Sequence, residues 1–211
     1  MEDFIQDLNT AQKEAVVNYK GPSLVIAGAG SGKTRVLMYR IAYILSKGVK
    51  PENILALTFT NKAATEMKER IGKMVGQEAA QKLWMGTFHS IFSKILRFEA
   101  KATGYSSNYT IYDTVDSRNL LRKIIKEMNL DDKTYKPQAV QGRISSAKNN
   151  LITWKSYNKN TEILKQDEQQ KRPKIADIYR VYASRCKQAD AMDFDDLLLN
   201  INILFRDHEE I

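Results

Sequence analysis

The first hundred residues alternate between short apolar runs and stretches with helical spacing. Ser23-Leu24-Val25-Ile26-Ala27 reads as a buried strand entering a glycine-rich turn. From Thr34 to Ser46, Val36, Leu37, Tyr39, Arg40, Ile41, Ile44 and Leu45 recur at spacings that a helix uses, and Gly48 supplies a C-terminal stop. Pro51-Glu52-Asn53 makes a turn, and Ile54 to Thr58 reads as a second buried strand. Residues 61–75 carry Ala64, Met67, Ile71 and Met74 along one side of a further helix. Leu83 to Phe88 is a third strand candidate, with a long helix beginning near Ser90. Strand, helix and strand at this spacing predict parallel βαβ units with right-handed crossovers.

Beyond about residue 105 the pattern changes. Residues 116–129, 137–149 and 172–188 read as amphipathic helices. Tyr109 to Tyr112 is too short and polar to stand as a strand, and Ala189 to Met192 does not read as one either. The polar stretch from Asn158 to Lys174 is expected to be a long surface loop. The pattern predicts an α/β beginning followed by a mostly helical part.

Composition is that of an ordinary globular chain, and no apolar run reaches the roughly 18 residues that span a bilayer. The acidic start Met1-Glu2-Asp3-Phe4 is unlike a signal peptide, and the single Cys186 fits a reducing cytoplasm. Charge adds more. Of the net +8, all lies in residues 101–190, where 18 Lys/Arg stand against 10 Asp/Glu. One contiguous basic block is what a surface facing a polyanion requires, although a solvated lysine-rich face looks the same.

The clearest chemistry is at Ala27-Gly28-Ala29-Gly30-Ser31-Gly32-Lys33-Thr34. A glycine-rich turn between strand and helix, closing on Gly-Lys-Thr, is a phosphate-binding loop. Its glycines let backbone N–H groups converge on an anion, and the helix N-terminus adds partial positive charge. Lys33 is placed to reach the β- and γ-phosphates of a nucleotide, and Thr34 to offer its hydroxyl to Mg²⁺. Ala27 stands where the strict pattern has glycine.

Upstream, Gln12 carries the donor and acceptor that read an adenine edge, though alone it is an ordinary surface amide. Downstream, Thr58-Phe59-Thr60-Asn61-Lys62-Ala63-Ala64 and Gly86-Thr87-Phe88-His89-Ser90 lie where strands meet helices. Open α/β sheets bind ligands at that edge, and an aromatic with hydroxyls, an amide and a lysine suits a nucleic-acid strand. His89 alone is more often a capping or core residue, and neither segment has metal-ligand spacing.

Together these segments resemble the UvrD/Rep/PcrA family of superfamily 1 DNA helicases, in order along the entire chain. Gln12 falls in what looks like the family's Q motif, and 27–34 is similar to its motif I. Residues 58–70 match motif Ia, and 86–90 match motif Ib. Met192 to Leu198 is similar to the segment that re-enters the motor core after an inserted helical subdomain, and Gly142 to Asn149 resembles a stretch near duplex DNA.

The resemblance implies a partial RecA-like parallel sheet, with motor residues 1–105, an inserted helical subdomain 106–190 and a return at 191–211. It implies that Gln12 and Arg35 contact adenine, and that the loop with Lys33 and Thr34 holds ATP and Mg²⁺. Phe59, Thr60, Asn61, Lys62, Thr87 and His89 would contact single-stranded DNA, with Arg143 and Lys148 toward duplex at a junction. Family members add an Asp-Glu pair closing a buried strand, which nothing here supplies. The expectation is therefore the front of a 3′ to 5′ helicase that cannot unwind by itself. Asp193, Asp195 and Asp196 read better as a helix cap and first turn than as a metal cluster. Rival readings are the related helicase–nuclease group, a phosphate-loop enzyme of another class, and a non-catalytic DNA-binding module.

Overall fold

The computed structural model describes residues 3–211. By contact the chain divides into two units, one running through Ile91 and the other from Phe92 to Ile211.

The first unit holds helices α1 (Thr10–Val17), α2 (Lys33–Ser46), α3 (Asn61–Val75) and α4 (Gln77–Lys82), with strands β1 (Leu55–Thr58) and β2 (Trp84–Thr87). Helix α5 (Phe88–Phe98) carries the chain across the division. β1 and β2 pair in parallel, Leu55 opposite Trp84 through Thr58 opposite Thr87, and α3 and α4 make the crossover. Thr60 starts α3 by accepting the Ala63 N–H at 3.2 Å, and Gly76, at φ 94°, ends it. Met67 and Ile71, four residues apart on that helix, join Met38, Ile41, Ala56 and Leu83 in one core. Burying a side chain such as Ile71 completely is worth about 1.5–3 kcal/mol.

One expected strand does not form. Residues 23–27 have no strand assignment, and Leu24 and Ile26 are 85% and 90% exposed. Their apolar character suits a sheet interior, but among the described residues no strand pairs with them, and the sheet of the first unit consists of β1 and β2. Strand structure is a property of paired backbones, and composition supplies only the propensity.

The second unit continues with α6 (Ala100–Thr103), α7 (Thr114–Glu127), α8 (Pro137–Asn149), α9 (Trp154–Tyr157), α10 (Thr161–Gln169), α11 (Ile175–Gln188) and α12 (Phe194–Asp207). Its strands β3 (Thr110–Tyr112) and β4 (Ala191–Asp193) correct two expectations, since both segments were read as non-strand. They pair in parallel, Thr110 with Ala191 through Tyr112 with Asp193. Three residues are too few to show a period, and each strand is specified by a partner about eighty positions away. Asp190 reinforces the pairing by accepting the Ser106 N–H at 3.0 Å, and the Ser106 hydroxyl as well.

The stretch 158–174 is also not a loop. Asn160 caps α10 by accepting the Glu162 and Ile163 N–H groups, both at 3.1 Å, and Ile163 and Leu164 pack on the α7–α8–α11 core. Asp167 is 2% exposed and accepts from the Tyr157 hydroxyl at 2.5 Å and Arg143 Nε at 2.9 Å. The polar residues of this segment are bonded inward, which composition alone reads as solvent-facing.

A buried ionic cluster ties the helices to β4. Lys148, 1% exposed, places Nζ 2.6 Å from Asp193 Oδ2 and 2.8 Å from Asp196 Oδ1. Tyr182 donates to the same Asp193 oxygen at 2.8 Å, while Asp193 caps α12 through the Asp196 N–H. The cap reading of Asp193 therefore stands, with a buried lysine added to it. Two carboxylates share one cation. Burial would raise Asp193, but Lys148 outweighs it and holds that carboxyl below its usual range. At Asp196 burial wins over Lys148, and the carboxyl is pushed up to about 6.

Two measurements check this cluster. Lys148→Met, which strands two buried carboxylates, should cost about 3–5 kcal/mol in urea denaturation. Because folded Asp196 holds its proton more tightly than the unfolded chain, its ionisation costs stability as pH rises from 3.8 through about 6. Urea midpoints across that window should fall less with rising pH in Asp196→Asn than in the parent. Asp193 acts in the opposite sense, its contribution lost as pH falls through its depressed value.

Candidate nucleotide-binding site

The turn at 28–31 is closed by the Ser31 hydroxyl, which donates to the Gly28 carbonyl at 2.8 Å. Gly32 then starts α2 at φ 85°, a left-handed conformation, with no side chain capping the helix and no acidic residue in its first turn. Unpaired first-turn N–H groups at a helix N-terminus attract an anion. The left-handed backbone at Gly32 favours glycine, and a Cβ there would also crowd Gln12 Nε2 at 3.0 Å, so that the amide would have to shift. Lys33 curls back over the loop, donating to the carbonyls of Ala27 at 2.8 Å and Gly28 at 2.7 Å. Ala29, Gly30 and Thr34 are exposed around it.

The two residues expected at adenine both brace the loop. Gln12 donates to the Ser31 carbonyl at 3.0 Å and accepts the Asn9 N–H at 3.2 Å, leaving one N–H and one lone pair of its amide. Arg35 donates to the Asp7 carbonyl at 3.2 Å and lies 5.3 Å from the Tyr39 ring centroid. Pattern reading missed Arg40, which donates to the Ala15 carbonyl at 2.7 Å and the Ser23 hydroxyl at 3.0 Å. It joins α1 and α2 to the head of the loop segment. Ser23, Val25, Lys33 and Arg40 line a cavity of about 380 Å³ beside the loop. Its size suits a ligand the size of a nucleotide.

The strand ends assemble a second group of residues. The β1–β2 register sets Thr58 level with Thr87, so the segments that follow both strands emerge together. Phe59 is 91% exposed, its ring centroid 5.8 Å from that of Phe88. Phe88, the first residue of α5, thereby adds a second aromatic ring to the strand ends. Thr60 spends its hydroxyl on capping α3, and Asn61 and Lys62 are exposed on the first turn of that helix. Thr87 accepts the Ser90 N–H at 3.2 Å, and His89 is half-buried in the first turn of α5. Gly86 admits this turn: a Cβ there would meet Ser90 Oγ at 2.7 Å.

Arg143 and Lys148 lie in the other unit and do not present free cations. Arg143 donates Nε to the Tyr157 hydroxyl at 3.0 Å and to Asp167, and Nη2 to Gln166 at 3.2 Å. Lys148 is buried on its two aspartates, so the expected duplex contact is corrected to a structural ion cluster. Periodicity held the signal: Lys148 follows Val140, Ile144 and Ala147 on the buried face of α8.

Among the described residues no group of three His, Cys, Asp or Glu is arranged to hold a metal, and no helix is long and apolar enough to cross a membrane. For a nucleotide's phosphates the loop is chemically suited. It combines uncapped helix N–H groups, left-handed Gly30 and Gly32, and a lysine whose present partners are only carbonyls. Gly32→Ala should lower stability by about 1–2 kcal/mol and displace Gln12. Thermal melts read the first effect, and weakened binding of a fluorescent ATP analogue reads the second.

The UvrD/REP helicase N-terminal domain matches residues 8–211. ATP-dependent DNA helicase PcrA of Leuconostoc citreum is 39% identical over 212 residues, covering 100% of this chain and 28% of the relative. PcrA of Staphylococcus aureus strain Mu50 is 42% identical over the same span, with the same coverage. PcrA of Staphylococcus epidermidis is 43% identical over 206 residues, 97% of this chain and 27% of that relative. The chain thus spans little more than a quarter of the length of these relatives. A glycine-rich loop at the start of α2, the level ends of β1 and β2 and a mostly helical second unit accompany this match, and the chain belongs to the UvrD/REP helicase family as an N-terminal domain.

Proposed function

We propose that this chain is the ATP- and single-stranded-DNA-binding front of a RecA-like motor that moves 3′ to 5′ and separates strands at a duplex junction. The observation that carries the reading is local to the first unit: an uncapped loop at the start of α2, and an exposed Phe59 beside half-buried Phe88 where β1 and β2 pass into α3 and α5.

In this reading the loop N–H groups and the α2 N-terminus take the β- and γ-phosphates. Lys33 exchanges its carbonyl partners for phosphate oxygens, and Thr34 offers one oxygen to Mg²⁺. Bound Mg²⁺ would supply charge neutralisation at the phosphates. Gln12 and Arg35, which now brace the loop from the N-terminal side, would sense the base with the hydrogen-bonding capacity they retain. Phe59 stacks on a base, with Asn61, Lys62, Thr87 and His89 around the backbone. Nucleotide and strand then bind to the same unit, which is how phosphate occupancy would alter the grip on DNA.

The water-activating carboxylates are not in this chain. The sequence has one Asp-Glu pair, Asp167-Glu168, and it lies in α10 with Asp167 bonded to Tyr157 and Arg143. The chain by itself is therefore a binding module, and its DNA affinity depends on salt through phosphate neutralisation.

Steady-state ATP hydrolysis, with and without single-stranded DNA, tests this. Turnover should stay at the level of Lys33→Ala, while Phe59→Ala weakens oligonucleotide binding about tenfold, as loss of one stacked base does. DNA binding that ignores both salt and Phe59 would contradict the assignment.

A further inference from the structure

Lys148 is buried and Arg143 is engaged, and other cations of residues 101–190 lie at the surface of the second unit. Trp154, at the start of α9, borders two clefts of about 290 and 510 Å³. Lys155 and Lys187 line the first, with Asp196 as its one carboxylate, and Arg180 and Arg185 line the second, which has none. Asp196 already faces Lys148 at 2.8 Å. Arg180 stands 3.6 Å from Asp177, and Arg185 pairs with Glu127; both are solvent-accessible contacts that an incoming phosphate can replace at little cost.

Short-range bonds fix the backbone of α9, and the Trp154 ring packs partly buried on the α7–α8–α11 core. Thr153 caps α9 by accepting the Ser156 N–H at 3.2 Å, Asn158 donates to the Trp154 carbonyl at 2.8 Å, and the neighbouring Tyr157 is 1% exposed. Lys155 Nζ lies 5.7 Å from the Trp154 ring centroid. Lys187 stabilises the opposite wall, 3.3 Å over the Tyr105 ring and donating to the Thr103 carbonyl at 3.1 Å. A half-buried indole packed on the helical core with cations on both sides, and with the one nearby carboxylate turned to Lys148, suits a base with its flanking phosphates.

We propose that the Trp154 cleft is a second single-stranded nucleic-acid contact on this chain, with Trp154 stacking on a base and Lys155, Arg180 and Arg185 meeting phosphates. It rests on the DNA-binding reading above and adds a site in the other unit.

The chain has two tryptophans, so Trp84→Phe leaves Trp154 as the only indole reporter. Titrating that variant with oligothymidylate should quench its fluorescence with the midpoint found by anisotropy of labelled DNA. Trp154→Ala should weaken binding about tenfold and Trp154→Phe much less, as expected for stacking. Lys155→Ala, an exposed change, should lower the slope of log affinity against log salt by about one. Circular dichroism checks folding; if Trp154→Ala unfolds, the quench and the Lys155 slope decide. Unquenched Trp154, with affinity and slope unchanged in Trp154→Phe and Lys155→Ala while Phe59→Ala still weakens binding, would overturn this proposal and leave the strand-end site intact. Absence of DNA binding by the parent chain would overturn both.

Discussion

A β-strand exists only where another backbone meets its N–H and C=O groups, and that requirement organises both units. In the first, β1 and β2 satisfy each other, and their level ends bring Phe59 and Phe88 together. Among the described residues none pairs with the apolar stretch 23–27, which forms no strand and leaves Leu24 and Ile26 in solvent. The phosphate loop that follows is organised from the helical side instead. Gln12, Arg35 and Arg40 tie α1, α2 and the preceding chain together. The anion site thus depends on the α2 N-terminus and its braces more than on the strand before it.

Pairing also explains what could be read in advance. The helices at 61–75 and 137–149 were legible to within a residue, because apolar periodicity and capping chemistry are local signals. Strands β3 and β4 were not, since each is three residues long and specified by a partner distant in sequence. Helix α10 was hidden by polarity. Its Asp167 is buried against Tyr157 and Arg143, and inward-facing polar bonds leave no trace in a hydrophobic pattern.

The site residues divide along the same line. The loop and strand-end candidates rest on spacing within a dozen positions, a signal that is local in sequence. Lys148 was misjudged because a lysine in a basic segment looks solvent-facing, whereas its helical position sets it among Val140, Ile144 and Ala147. Burying that charge is tolerated because Asp193 and Asp196 neutralise it, with Asp193 also capping α12. One cluster thereby fixes α8 against β4 and α12. Positive charge in the helical unit is in this way partly structural, and four of its other cations line the clefts beside Trp154.

The central claim is that the loop at 27–34 binds nucleotide phosphates through Lys33. Equilibrium binding of Mg-ATP to the parent chain and to Lys33→Ala tests it most directly, with circular dichroism confirming that both are folded. Saturable binding in the parent, weakened at least about tenfold in the variant, is the expected result for losing a charge-assisted contact to phosphate. Equal binding by the two folded chains would contradict the account and place any nucleotide affinity elsewhere.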